Sequence, residues 1–176
     1  MSEKPMKLIL LLFGLCAGPL AAQAPSTGDA QQSGTRSWSG SVGLSLNTLP
    51  YGLGRTASVS TSRRALALRL GYDGAANLKE TLTLNAVSLS VGRQAQAGRL
   101  HLAAFAGPAV VWGQDGLDEN GFALGDERYV TAGAALDVSA LLALGSRLRL
   151  GVGVWANANA QQSTVGAGPR LQVRLR

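Results

Sequence analysis

Few residues in this chain could do chemistry. His101 is its one histidine, the side chain best suited to proton transfer near neutral pH. No nucleophile elbow, zinc-ligand spacing or phosphate loop accompanies it. Asp115, Asp118, Glu119, Asp126 and Glu127 crowd one polar stretch. Of these, Asp115, Asp118 and Glu119, with Asn120, miss the alternate-residue spacing with which a calcium loop gathers its oxygens. No metal, no cofactor and no catalytic residue is expected, and the chain reads as a non-enzyme. Cys16, the one cysteine, lies in an N-terminal apolar run, so the mature chain is expected to have no disulfide.

Asp137 and Arg170 are more informative, because both point into a polar interior. Where they point depends on the elements that carry them. In Arg147–Arg176, Leu148, Leu150, Val152, Val154 and Ala156 alternate with Arg149, Gly151, Gly153 and Trp155. After the polar tip 159–164, Val165, Ala167, Pro169, Leu171 and Val173 alternate with Gly166, Gly168, Arg170 and Gln172. Period two is the signature of strands with unlike faces, and the segment reads as a long hairpin. Asp137 and Arg170 both fall on the small, polar face.

The same alternation recurs upstream. Trp38, Val42, Leu44 and Leu46 oppose Ser37, Ser39, Ser41 and Ser45. A weaker strand follows around Arg55–Ser60, then Leu66, Leu68, Leu70 and Tyr72 oppose Arg69 and Asp73. In 81–91 the phase changes from Leu82 and Leu84 to Val87, Leu89 and Val91, so a β-bulge near Asn85 or Ala86 is expected. Leu100 to Trp112 alternates past Pro108, where an irregularity is expected. A long loop over 113–128 then leads to Tyr129–Leu142. This makes eight strands joined by alternating longer and compact connections, as in an up-and-down antiparallel barrel, in which successive turns lie at opposite rims.

Composition says which way the apolar faces point. Hydrophobic residues make up 46% of the 176 residues but charged ones only 15%, well below the roughly 25–35% of a water-facing surface. The faces opposite the leucines and valines hold mainly Gly, Ser, Ala and Asn with isolated arginines, and past residue 7 the one lysine is Lys79. Small residues suit the bore of a narrow barrel, which leaves the aliphatic residues to face lipid. Trp38, Tyr72 and Trp112 lie on the apolar face near strand ends, where interfacial aromatics are favoured. The formal charge of +6 is scattered, with no aromatic-flanked basic patch, so no nucleic-acid partner is expected. The fold class is all-β, an eight-stranded antiparallel up-and-down transmembrane β-barrel.

Lys4 and Lys7 before the apolar run 8–15, then Gly18-Pro19 and the small residues Ala21, Ala22 and Ala24, form a secretory signal. Residues 1–22 are read as that signal, 23–35 as a flexible lead-in and 36–176 as the barrel. If the last two hairpins pair without slips, Asp137 stands across from Gly153 and Arg170 across from Gly151. Two strand spacings, roughly 10 Å, would then separate the charges with only glycine between them. A structural interior ion pair is expected, with Arg149 and Arg69 as competing partners. Arg64, Arg99 and Arg147 follow compact turns and are read as rim solvation, with a basic edge contacting anionic partners as the alternative.

On these features the chain resembles the small outer-membrane β-barrel proteins of the OmpA and OmpX type, over about Arg36 to Arg176: an export signal, eight alternating strands and rim asymmetry. The resemblance implies a bacterial outer-membrane location, with the compact turns in the periplasm. It also implies outer-membrane lipid, lipopolysaccharide and the barrel assembly machinery as partners, and a monomer. The expected role is structural or surface-interacting. A narrow pore, a lipid-modifying enzyme using His101 and a secreted soluble ligand-binding barrel are the alternatives.

Overall fold

A computed structural model describes residues 36–49, 52–77, 82–117 and 123–175, with the side chains of 115–127 left out of the description. The expected signal and lead-in lie outside these residues.

Eight strands follow in order: β1 (Ser37–Asn47), β2 (Gly52–Arg63), β3 (Leu66–Asn77), β4 (Thr83–Ala97), β5 (Leu100–Leu117), β6 (Ala123–Ala143), β7 (Leu148–Asn159) and β8 (Thr164–Arg174). Each pairs antiparallel with the next, and β1 pairs with β8 to close the barrel. Closure gives every strand a neighbour on both sides, so the barrel wall has no edge strand. The shortest strands have 11 residues, enough for the 9–11 or so that a tilted strand needs to cross hydrocarbon.

The barrel is inside-out relative to a soluble protein. Val42, Leu44, Leu46, Leu70, Leu89 and Val130 are exposed on the outer wall, whereas Arg69, Asp73, Asp137 and Arg170 are buried inside. Strand alternation drives this: in β3 the burial pattern switches with every residue from Leu66 to Gly71.

Register departs from expectation in informative places. No bulge interrupts β4, since its pairing with β3 runs unbroken from Leu66↔Arg93 to Ala76↔Thr83. Leu84 instead turns inward, where it is fully buried. The phase change therefore marks apolar residues on both faces, one of them filling the bore. The expected loop over 113–128 is mostly strand: β5 and β6 stay paired from Gly113↔Tyr129 to Leu117↔Ala123, with an irregularity between Asp115 and Leu117. Strand β2 reaches from Gly52 to Arg63, past the Arg55–Ser60 core expected for it.

Two gaps in the ladders lie at Gly-Pro pairs. β4 and β5 skip the pairs between Ser88↔Ala109 and Val91↔Ala106, opposite Gly107-Pro108. β1 and β8 skip those between Gly43↔Arg170 and Leu46↔Ala167, opposite Gly168-Pro169. Proline removes a donor. The glycine permits close approach, because a Cβ on Gly107 would stand 2.2 Å from the Leu89 carbonyl oxygen and one on Gly168 2.1 Å from that of Leu44.

Candidate functional site in the barrel interior

The bore is built in three layers. At the compact-turn end, β1 and β2 face each other with serines: Ser37–Ser62, Ser39–Ser60 and Ser41–Ser58 hydroxyls meet at 2.7, 2.8 and 2.8 Å. These residues are register partners, so serine at every second position on both strands makes a ladder. Gln172 Nε2 donates to Ser39 Oγ at 3.3 Å and Arg149 Nη1 to Gln172 Oε1 at 3.0 Å. His101 is buried at this end, and its Nδ1 finds no partner among the described residues.

The middle layer holds the charges. Arg170 Nη1 and Nη2 donate to Asp137 Oδ1 and Oδ2 at 2.5 and 2.7 Å, a bidentate pair. Arg69 Nη2 lies 3.1 Å from Asp137 Oδ2, yet that nitrogen makes no hydrogen bond of acceptable geometry. Its contact with the carboxylate is therefore Coulombic. The Arg69 guanidinium also stands 5.7 Å from the centre of the Phe105 ring, within cation–π range. Asp73, on the same face of β3 as Arg69, is buried as well, and its Oδ1 is without a hydrogen-bond partner among the described residues. Two guanidiniums and two carboxylates thus share the middle of the bore, each of them almost wholly shielded from solvent.

The upper layer is apolar. Trp155, Leu84, Val111, Ala75, Ala86, Ala109 and Ala135 form one buried cluster, with Leu49 joining from the β1–β2 connection. Trp155 Nε1 donates to Ser45 Oγ at 3.0 Å across the bore, satisfying the one polar atom of the indole. Gly166 makes room for the ring, since a Cβ there would lie 2.5 Å from it. Alternation alone does not single out Trp155 as the bore's largest filler, although its parity on β7 matches that of Gly151 and Gly153.

No family model matches the chain, and neither does any curated protein. Among solved structures, the N-terminal β-barrel domain of Pseudomonas aeruginosa OprF is similar with a TM-score of 0.62 at 11% identity, over 79% of this chain and 97% of that one. Neisserial surface protein A gives 0.57 at 13%, over 80% and 97%. A de novo designed transmembrane β-barrel gives 0.52 at 16%, over 82% and 98%. The fold is that of the small outer-membrane β-barrels. Identities this low speak for the fold alone.

Within this outer-membrane barrel fold, Arg170 and Arg69 meet Asp137, while Arg149 bonds Gln172 and is no partner of the carboxylate. The register differs from expectation by two residues: Asp137 pairs with Trp155, and Gly153 with Ser139. Arg170 does stand across from Gly151. Trp38 and Trp112 are exposed on the outer wall. Tyr72 lies there too, its hydroxyl donating to Asn85 Oδ1 at 2.7 Å and accepting from Arg55 Nη2 at 3.4 Å. Asp118 and Glu119 lie outside the described residues. Asp115, Asp126 and Glu127 belong to strands β5 and β6, with Asp115 paired to Glu127 in the backbone register. Among the described residues no cluster of His, Cys, Asp and Glu could hold a metal.

Proposed function

We propose that this chain is a bacterial outer-membrane protein whose barrel has a structural or surface-interaction role without catalysis, presenting the β5–β6 hairpin at the cell surface. One observation carries the reading: the leucines and valines cover the outside while Asp137, Arg69 and Arg170 are buried in the bore. Exposed apolar surface of that extent is untenable in water and is what hydrocarbon requires of a spanning barrel. Outer-membrane lipid and lipopolysaccharide are then the wall's partners, the assembly machinery inserts the chain, and the barrel works as a monomer. A filled upper layer around Trp155 argues against an open pore. His101 is buried at the compact-turn end, away from the rim where outer-leaflet headgroups lie, which argues against lipid-modifying catalysis.

The test is expression in a Gram-negative host with the native N-terminal segment, followed by membrane fractionation and gel migration with and without boiling. An epitope inserted within 118–122 is labelled on intact cells. A heat-modifiable band in the outer-membrane fraction with surface-labelled epitope is the expected result. Folded protein recovered in solution without detergent would contradict it.

A further inference from the structure

The charges are sorted along the barrel axis. At the compact-turn end stand Arg36, Arg63, Arg64, Arg93, Arg99, Arg147 and Arg174, all exposed, and no Asp or Glu among the described residues lies there. Asp115, Asp126 and Glu127 occupy the opposite end of β5 and β6. None of the seven arginines has a carboxylate partner among the described residues; Arg36 leans on Trp38, 5.9 Å from the ring centre.

The placement of these arginines is specific. Arg63 pairs with Leu66 and Leu66 with Arg93 in the register, and both arginines continue the outward parity of Val59 and of Val91. Arg36 likewise continues the parity of Trp38. They therefore flank the apolar wall rather than hang below it. Arg99 and Arg147 sit in neighbouring turns, and the Ala143 amide donates to the Arg99 carbonyl at 2.8 Å. Beside them lies a notch of about 420 Å³ lined by Arg99, Ala143, Leu144 and Gly145. Leu144 is exposed there, so a cation and an aliphatic side chain share one recess.

We infer that this rim binds the phosphates of anionic phospholipids, with the Arg99 notch as its best-formed seat. The inference rests on the membrane reading given above. Guanidinium is the side chain that matches phosphate with paired N–H donors. A ring placed at headgroup height beside exposed leucines fits a phosphate with its glycerol and first methylenes. A soluble polyanion beneath the rim would have no use for Arg36, Arg63 and Arg93 on the wall or for Leu144 in the notch.

The full chain is refolded into vesicles of phosphatidylcholine alone and of phosphatidylcholine with phosphatidylglycerol, and boundary-lipid selectivity is read with spin-labelled lipids of each headgroup. Selectivity for phosphatidylglycerol is expected. Replacing both residues in Arg99→Gln, Arg147→Gln should lower it by about fivefold for each arginine in contact. Arg55→Gln, at the other end of the outer wall, should leave it unchanged. Lysine at 99 and 147 should retain part of it, and inorganic phosphate added to the mixed vesicles should not displace the lipid. Heat-modifiable migration in every sample keeps insertion separate from selectivity. A barrel that inserts with no headgroup preference, one whose preference survives loss of Arg99 and Arg147, or one equally weakened by Arg55→Gln overturns the inference while leaving the membrane reading intact. Displacement by inorganic phosphate overturns it too, and would assign the rim to soluble anions. Failure to insert in either composition overturns both.

Discussion

Arg170 on β8 reaches Asp137 on β6 across the intervening strand, passing over Gly153. A Cβ at Gly153 would stand 2.6 Å from the guanidinium carbon, so the ion pair and that glycine are one arrangement. Asp137→Asn leaves Arg170 and Arg69 buried without the carboxylate they share. Breaking one side of a buried pair costs about 3–5 kcal/mol, and the urea midpoint of gel-monitored unfolding in micelles is expected to fall accordingly. A shift within error would mean that the pair does not stabilise the barrel.

Gly153→Val tests the corridor rather than the charges. The added methyls occupy the guanidinium's path, and overpacking of this kind costs roughly 1–3 kcal/mol. In the background of Asp137→Leu with Arg170→Leu the substitution has a different neighbour, so a double-mutant cycle is expected to show coupling between position 153 and the pair. Additive effects would contradict it.

Trp155 is the centrepiece of the upper layer. Trp155→Ala removes its indole and the bond to Ser45, with an expected loss of about 3–5 kcal/mol. In planar bilayers the native barrel is expected to be silent, and the variant to show brief openings. Steady conductance from the native protein would mean the layer is not a seal.

Arg64 sits in the two-residue β2–β3 turn at φ 58°, the left-handed region that costs a non-glycine residue roughly 1–2 kcal/mol. The matching β4–β5 turn has Gly98 at the same angle. Arg64→Gly is expected to stabilise the barrel by about 0.5–1 kcal/mol, after glycine's extra unfolded-state entropy is set against the relieved strain. A lower unfolding midpoint would count against it.

Parity makes much of this fold legible in the sequence. Alternation puts Leu66, Leu68 and Leu70 on one face and Arg69 on the other, because any one-residue error would invert a whole strand, and the composition of the two faces turns the aliphatic one outward. A two-residue slip leaves parity untouched, which is why the pairing of Asp137 with Trp155 rather than Gly153 is invisible in the sequence: the β6–β7 connection spans 144–147, with the Leu144 amide donating to the Leu148 carbonyl. The bulge expected in β4 does not form for a related reason. A bore needs filling, and Leu84 does so while Val87 and Leu89 face outward on the same regular strand. Polarity misleads at 113–128, where charged residues continue the β5–β6 ladder beyond the apolar band.

Tryptophan fluorescence offers the most direct check on which side of the wall faces lipid. The native protein and the variant with Trp38→Phe and Trp112→Phe, which retains Trp155, are refolded into vesicles whose acyl chains carry bromine near the headgroup. Emission of the native protein should be quenched in large part, and that of the double variant should be nearly untouched. Strong quenching of Trp155, or none of Trp38 and Trp112 in heat-modifiable, inserted protein, would mean that the aliphatic residues do not face hydrocarbon.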